Sequence, residues 1–162
     1  MNRRIRVLRA FLWLMVIVTA LLIFSFSSET GELSTVTSDA VTRFFIGLFD
    51  PVYDGRTAEE QRDVFRFASQ IVRKCAHFSE FALLGLWLRW LFAAYTDQHR
   101  SLAAWGIGTG YAVTDEVHQL FVSQRAAMPV DVLIDSLGVM AGVLVAWAVW
   151  TLCRRRKGER GG

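Results

Sequence analysis

Long apolar segments alternate with short polar ones along this chain. Residues 8–26 follow a basic arm almost without interruption, and further apolar segments occupy 76–95, 102–122 and 130–153. Nineteen helical residues extend about 28 Å, close to the ~30 Å hydrocarbon core of a bilayer. Lipid offers the backbone no hydrogen-bond partner, so each segment should be helical. The pattern predicts an all-α, polytopic integral membrane protein, a four-transmembrane-helix bundle that forms a single domain over residues 1–162.

The connection between the first two predicted spans, residues 27–74, is long and polar. Within it, Asp39–Phe49 and Ala58–Val72 place apolar residues at helical spacing, and the turn-forming sequence DPVYDG separates them. We therefore predict one or two short amphipathic helices here. Two interpretations remain open, namely helices that lie on the membrane surface and short helices within a solvated loop.

Basic residues are concentrated at both ends of the chain. The arm MNRRIRVLRA and the tail CRRRKGERGG are basic, whereas the connection 27–74 carries eight acids against six bases. By the positive-inside rule, both termini are predicted to be cytoplasmic and this connection extracytoplasmic. An even number of spans satisfies both expectations. The exit of the first segment, FSFSS, lacks the small-residue cleavage pattern of a signal peptide, so we expect that segment to remain as a span.

The composition excludes several classes of protein. A chain with 53% hydrophobic residues, 2 Pro and 2 Cys is neither disordered nor a disulfide-rich scaffold. The two cysteines, Cys75 and Cys153, are predicted at opposite membrane faces, too far apart for a disulfide. The net charge of +3 arises at the ends, where basic residues set topology and meet anionic lipid. Membrane lipids are therefore expected partners, and nucleic acids are not.

The ionisable residues of the predicted spans meet at one membrane face. Span two enters from the outside, span three ends there and span four begins there. Spacings of three and four residues place the polar members of each span on a shared helix face. Ionised groups at membrane depth are costly unless paired or hydrated, which makes them functional candidates. The candidate cluster consists of Lys74, His77, Glu80, Asp115, Glu116, Gln119, Arg125, Asp131 and Asp135.

A purely structural role for this cluster is the alternative. In that case Arg125 would pair with an aspartate of span four, and Lys74 or its neighbour Arg73 would pair with Glu80. Arg89 lies deeper in span two, and we interpret it as structural, with its head group snorkelling toward the cytoplasmic side.

The candidate cluster does not select one chemistry. Its histidine and the nearby His118 could act as general bases beside the carboxylates. The sequence contains neither an HExxH motif nor paired cysteines, so no metal and no cofactor are assigned. No serine or cysteine lies in a nucleophile motif. The catalytic residues are therefore unknown, and enzymatic activity is left open.

Two pairs of glycines predict close helix packing. Gly138 and Gly142 are four residues apart, as are Gly106 and Gly110. Small residues at this spacing let helix backbones approach. The first pair continues the stripe of Asp131 and Asp135, so span four is predicted to face the bundle with these residues.

The sequences KCAHFSEFALLG (Lys74–Gly85) and TDEVHQLFVSQRAAMPVDVLIDSLG (Thr114–Gly138) resemble the VanZ-like family. The family pattern is roughly K-x-x-H-F-x-E, then D-E-x-x-Q-x-F-x-x-x-R, then D-x-x-x-[ND]-x-x-G. The FSFSS exit of the first span is also similar. Two positions depart from the pattern: Gln124 stands where many members have glycine, and the position of Asp135 is often asparagine.

The resemblance implies a multi-pass protein of the bacterial cytoplasmic membrane. The founding member of the family is associated with resistance to teicoplanin, a lipid-tailed glycopeptide. We therefore expect the cluster to bind or modulate a lipid-linked wall precursor or a lipoglycopeptide at the outer face. The alternative is a membrane-embedded hydrolase or transferase that acts on an outer-leaflet lipid or glycan carrier. A transporter is disfavoured because the inner halves of the spans carry few polar residues, and homo-oligomerisation is left open.

Overall fold

The computed structural model describes residues 3–28, 31–95, 100–122 and 128–159, and it describes the side chains of these residues except within 31–38 and 155–159. The described chain is all-α, as predicted. Its elements are α1 (Arg3–Ser27), α2 (Gly31–Phe49), a 3-10 turn (Tyr53–Gly55), α3 (Ala58–Ala93), α4 (Arg100–Gln119) and α5 (Pro129–Glu159).

Two of these helices are long and apolar enough to cross a membrane, Arg3–Ser27 and Pro129–Arg154. Little of either helix is buried inside the fold, and large side chains such as Phe11 and Leu144 point outward. Apolar surface on this scale is typical of a lipid-facing helix. The predicted spans in α3 and α4 are not apolar enough to meet the same criterion, because polar residues interrupt them. The count of four spans therefore stays a prediction.

The α3 helix differs from the prediction at its N-terminal end. The amphipathic segment Ala58–Val72 and the span 76–95 form one helix of 36 residues, because VRKCA contains no helix breaker between them. A helix of this length extends about 54 Å, well beyond a hydrocarbon core of about 30 Å. The predicted connection of residues 27–74 thus ends in the same rigid helix as the predicted second span.

The start of α3 is fixed by a capping box. The Glu60 backbone N–H donates to Thr57 Oγ1, and the Glu60 carboxylate accepts from the Thr57 backbone N–H at 2.9 Å. The backbone and hydroxyl hydrogen bonds from Thr57 lower the pKa of the Glu60 carboxyl. These bonds stabilise the first turn of α3 and fix where the helix begins.

The α2 helix begins at Gly31, earlier than the predicted Asp39, and ends at Phe49 as predicted. It packs against the N-terminal half of α3. The turn between them is held by an ion pair of 3.0 Å between Arg56 and Asp50, and by a hydrogen bond of 3.1 Å from Gln61 Nε2 to the Tyr53 carbonyl. The first connection is therefore a helical hairpin.

Helices α1, α3, α4 and α5 form a bundle in which each helix runs opposite to the one before it, so that α1 is parallel to α4 and α3 is parallel to α5. Near the start of α1, the Arg9 guanidinium donates to the Ala94 carbonyl at 2.7 Å, just beyond the end of α3. In the middle of α1, the Ala20 carbonyl accepts from the Tyr111 hydroxyl of α4 at 2.7 Å. The core between the helices consists of Ile23, Phe81, Leu84, Leu88, Ala104, Ala112, Val139 and Val143.

The closest helix contact lies between α3 and α5, where glycines replace larger residues. A Cβ placed on Gly142 would fall on the Ala82 carbonyl, 2.7 Å from its carbon. A Cβ on Gly138 would lie 3.2 Å from the Phe78 carbonyl carbon. The prediction that this glycine pair faces the bundle is confirmed.

The second glycine pair fits the same spacing but does not lie at a close contact within the described chain. A Cβ added to Gly106 or Gly110 would have no described atom within 4 Å, and both glycines lie on the outward side of α4. The close approach of α4 instead uses Gly108, where a Cβ would lie 2.6 Å from Val139 Cγ1. Two glycines at the right spacing thus mark a helix face without telling which face is packed.

Arg89 is buried, with 2% of its surface exposed. Its Nε donates to the Ser101 hydroxyl at 2.8 Å, and its guanidinium lies 5.9 Å from the centre of the Trp150 ring. The contacts join α3, α4 and α5. The interpretation of Arg89 as structural is therefore confirmed, and its head group bonds to Ser101 at the start of α4 while remaining buried in the bundle.

Candidate functional site

Three helices bring ionisable side chains together at one end of the bundle. His77 of α3, Asp115 of α4 and Asp135 of α5 each offer a potential ligand atom, and these atoms lie within 4.8 Å of one another. Asp115 and Asp135 are only 3% and 2% exposed. Two carboxylates and an imidazole therefore share a nearly dry pocket between helices that are far apart in sequence.

The Asp115 carboxylate is held by hydrogen bonds on one side. Its Oδ2 accepts from the Ser27 hydroxyl at 2.7 Å and from Gln119 Nε2 at 3.0 Å. Ser27 is fully buried at the end of α1. The candidate cluster predicted from the sequence does not contain this serine, although it lies in the FSFSS exit. Its position as the last residue of an apolar helix was the available signal.

His118 has a different role from His77. Its Nε2 lies 3.1 Å from the Ser28 hydroxyl, and its ring stacks on Phe24 with 4.5 Å between centroids. These contacts fasten the end of α1 to α4. Of the two candidate histidines, only His77 joins the carboxylate group.

Lys74 forms an ion pair with Asp131, which is half-buried. The structural alternative predicted that Lys74 or Arg73 would pair with Glu80. Lys74 pairs with Asp131 instead. Glu116 accepts the Met128 backbone N–H at 2.5 Å, directly before α5 begins at Pro129. A carboxylate at this place is favoured by the positive end of the helix dipole. The N-terminus of α5 is therefore fixed by side chains of α3 and α4.

A polar cavity of about 260 Å³ lies among these groups. Arg125, the remaining basic residue of the candidate cluster, lies outside the described residues and stays a prediction. Gln124, which departs from the family pattern, also lies outside them. The cavity is lined by Gln70, Arg73, Lys74, His77, Glu116, Gln119, Met128, Asp131, Ile134 and Asp135.

An apolar groove of about 870 Å³ lies next to this cavity, between α2 and α3. Its walls are mainly aromatic and aliphatic side chains, among them Phe45, Phe67 and Ile71. At its far end the groove reaches Glu80, and it shares Arg73 and His77 with the polar cavity. Arg73 and His77 thus lie where an apolar space and a polar space adjoin.

A family model described as VanZ/LLP1 matches residues 11–152. The chain belongs to the VanZ/LLP1 family. Searches of curated proteins and of solved structures found no match. Family membership and the two apolar helices together indicate a membrane protein. The resemblance of its motifs to this family is therefore confirmed over nearly the whole chain.

In this VanZ/LLP1 protein the motif residues come from separate segments and lie around one site. All of the candidate residues within the described chain line the cavity or the groove, except Asp115, which is buried behind Gln119 and beside His77. The arrangement can hold a cation between carboxylates, accept a proton on His77, or attract an anion through Arg73. Cys75 lines the groove and Cys153 is on α5; both are free thiols.

Proposed function

We propose that this VanZ/LLP1 protein binds a lipid-linked or lipid-tailed molecule of the bacterial envelope. The apolar tail lies in the groove between α2 and α3, and the polar head group lies in the cavity. The observation that carries the proposal is that Arg73 and His77 belong to both walls. A ligand that fills both spaces must be amphiphilic.

The energetics of the two parts are complementary. Burial of apolar surface contributes roughly 25 cal/mol per Å², so an acyl or prenyl tail in the groove is the main source of affinity. In the cavity, Lys74 is already engaged by Asp131, whereas Arg73 faces both spaces. A guanidinium is well suited to a phosphate, which favours a phosphorylated head group. Lipid-tailed glycopeptides such as teicoplanin present a similar tail, which supports the link to resistance.

The proposal includes a topology. The chain crosses the bacterial cytoplasmic membrane four times, with both termini in the cytoplasm and the site at the outer face. This topology is supported by the basic ends of the chain and by the alternating direction of α1, α3, α4 and α5. In this arrangement the α2–α3 hairpin is extracytoplasmic, and the site is open to lipids of the outer leaflet.

We expect the topology to appear in cysteine labelling of intact cells. The exposed Asp54 is changed to cysteine in a Cys75→Ala, Cys153→Ala background, and a membrane-impermeant maleimide should label it without permeabilisation. The control keeps Cys153 as the sole cysteine, and it should be labelled only after permeabilisation. The reverse pattern would place the site at the cytoplasmic face and exclude outer-leaflet ligands.

Ligand binding is tested with a fluorescent polyprenyl phosphate and the protein in nanodiscs. Phe67 and Phe44 are equally exposed, at 66% and 67%, but only Phe67 lines the groove. We expect Phe67→Ser to raise Kd about tenfold, which is ~1.4 kcal/mol, and Phe44→Ser to change it less than about twofold. Arg73→Gln should weaken binding of the polyprenyl phosphate and leave binding of the unphosphorylated polyprenol unchanged.

Equal effects of the two phenylalanine variants would contradict the assignment of the groove. Competition by teicoplanin in the same assay tests the link to resistance. A polyprenyl phosphate that binds without competition by teicoplanin would restrict the proposal to lipid-linked envelope precursors.

A membrane-embedded hydrolase or transferase is the second candidate. It is favoured by His77, which lies within 4.8 Å of two carboxylate ligand atoms and can act as a general base. The nanodisc preparation also reports on this candidate when release of phosphate from a polyprenyl diphosphate is measured. Turnover that is lost in His77→Gln while binding persists would replace simple binding with catalysis.

A further inference from the structure

We infer that His77, Asp115 and Asp135 form a binding site for a divalent metal ion. The ligand atoms of the three residues lie within 4.8 Å of one another. Three equally spaced ligands of one ion, each about 2.1 Å from it, are at most about 3.6 Å apart. From separations of up to 4.8 Å, each ligand atom needs to move by no more than about 0.7 Å toward a shared ion.

Burial provides a reason for an ion at this place. Asp115 and Asp135 are nearly fully buried and close together, and two such carboxylates repel each other in a medium of low dielectric constant. Among the described residues, the ion pairs do not include either of them, and Lys74 is engaged by Asp131. A divalent cation between the two carboxylates would balance their charge.

The hydrogen bonds of Asp115 hold it in the manner of a metal ligand. Ser27 and Gln119 both donate to Oδ2, whereas the buried Oδ1 has no hydrogen-bond partner within the described part of the chain. This leaves Oδ1 as the oxygen available to an ion. Outer-shell hydrogen bonds of this kind orient ligands in metal sites. The unpartnered oxygen is the second observation, independent of the clustering.

The donor set indicates the class of ion. One imidazole nitrogen and two carboxylate oxygens suit Mn²⁺ or Zn²⁺ better than Mg²⁺, which prefers oxygen ligands only. Three protein ligands leave coordination positions for water or an anion. His77 and Asp135 line the polar cavity, so those positions face it. The site goes beyond lipid binding and does not depend on it.

The test uses the full chain in detergent, stripped of metal with EDTA and without added lipid. Titration with Mn²⁺ followed by electron paramagnetic resonance should show a single bound ion, and Zn²⁺ should displace it. Pulsed measurements should detect the nitrogen of a coordinated imidazole. We expect Asp135→Asn to weaken binding by at least about tenfold. His77→Gln should abolish the nitrogen signal.

The control is Asp63→Asn, which alters an aspartate of α3 whose side chain is 69% exposed and should leave Mn²⁺ binding unchanged. Circular dichroism and gel filtration check that each variant is folded. Should a variant fail this check, the nitrogen signal of the unmodified chain still decides the matter. Absence of a bound ion, absence of the nitrogen coupling, or a folded Asp135→Asn with full affinity would overturn the inference.

Discussion

Replacement of Gly142 by alanine is expected to destabilise the bundle by about 1–3 kcal/mol, the usual range for overpacking a tight contact. The added methyl group would meet the Ala82 carbonyl and would also lie 2.8 Å from the Leu86 backbone nitrogen. Backbone atoms cannot rotate away as a side chain can. The helices α3 and α5 must therefore separate, and the residues that both helices contribute to the site move with them.

Gly106→Ala is the matched control for this experiment. Gly106 lies on α4 with no described atom near the position of an added Cβ. The unfolded chain has less conformational entropy with alanine than with glycine at this position. The free energy of unfolding should therefore stay the same or rise by up to about 1 kcal/mol. Unfolding in detergent followed by circular dichroism measures both variants. Similar losses in both would mean that the α3–α5 crossing is not the tight contact described above.

Reversal of the charge at Lys74 is expected to have the next largest effect. Lys74→Glu removes the ion pair with Asp131 and adds a carboxylate to a cavity already lined by Glu116 and Asp135. The pair is partly exposed, so its loss falls between that of a surface pair and that of a buried one, at about 2 kcal/mol. The variant should also bind the fluorescent polyprenyl phosphate more weakly, since the cavity becomes more negative.

Arg66→Glu provides the comparison on the same helix. Arg66 pairs with Asp63 at 3.8 Å, and both side chains are about 70% exposed (73% and 69%). Exposed pairs contribute less than about 1 kcal/mol, so this reversal should be almost silent. The double variant Lys74→Glu, Asp131→Lys restores the pair with opposite polarity and should recover most of the lost stability. Failure of the rescue would show that Lys74 acts through another partner.

The sequence predicted the features that depend on local pattern. Apolar segments long enough to span a bilayer predicted the all-α class, because lipid leaves the backbone no other hydrogen-bond partner. The stripe from Asp131 to Gly142 predicted the face that α5 turns toward the bundle. Polar residues of three segments also lie together at one end of the bundle. Spacing along a helix fixes which residues of that helix share a face, which is why the face of α5 could be predicted.

Other features depend on contacts between helices, which a single sequence does not specify. The change from polar to apolar composition at residues 72–76 suggests a boundary between two elements, but no residue there breaks a helix and α3 continues through it. The partners of Lys74 and the role of Ser27 depend on how α1, α3 and α5 are rotated. The groove exists only because α2 folds back on α3. None of these arrangements leaves a mark on the pattern of one segment.

The unbroken α3 has a consequence for selectivity. Phe67 in the groove and His77 at the cavity lie on the same rigid helix, so their separation along the axis is fixed at about 15 Å. The helix therefore fixes the distance between the parts of the site that bind the hydrophobic and the polar ends of a ligand. For the proposed class of ligands, the length of the spacer between tail and charged group decides which molecules fit, whereas the detailed structure of the tail matters less.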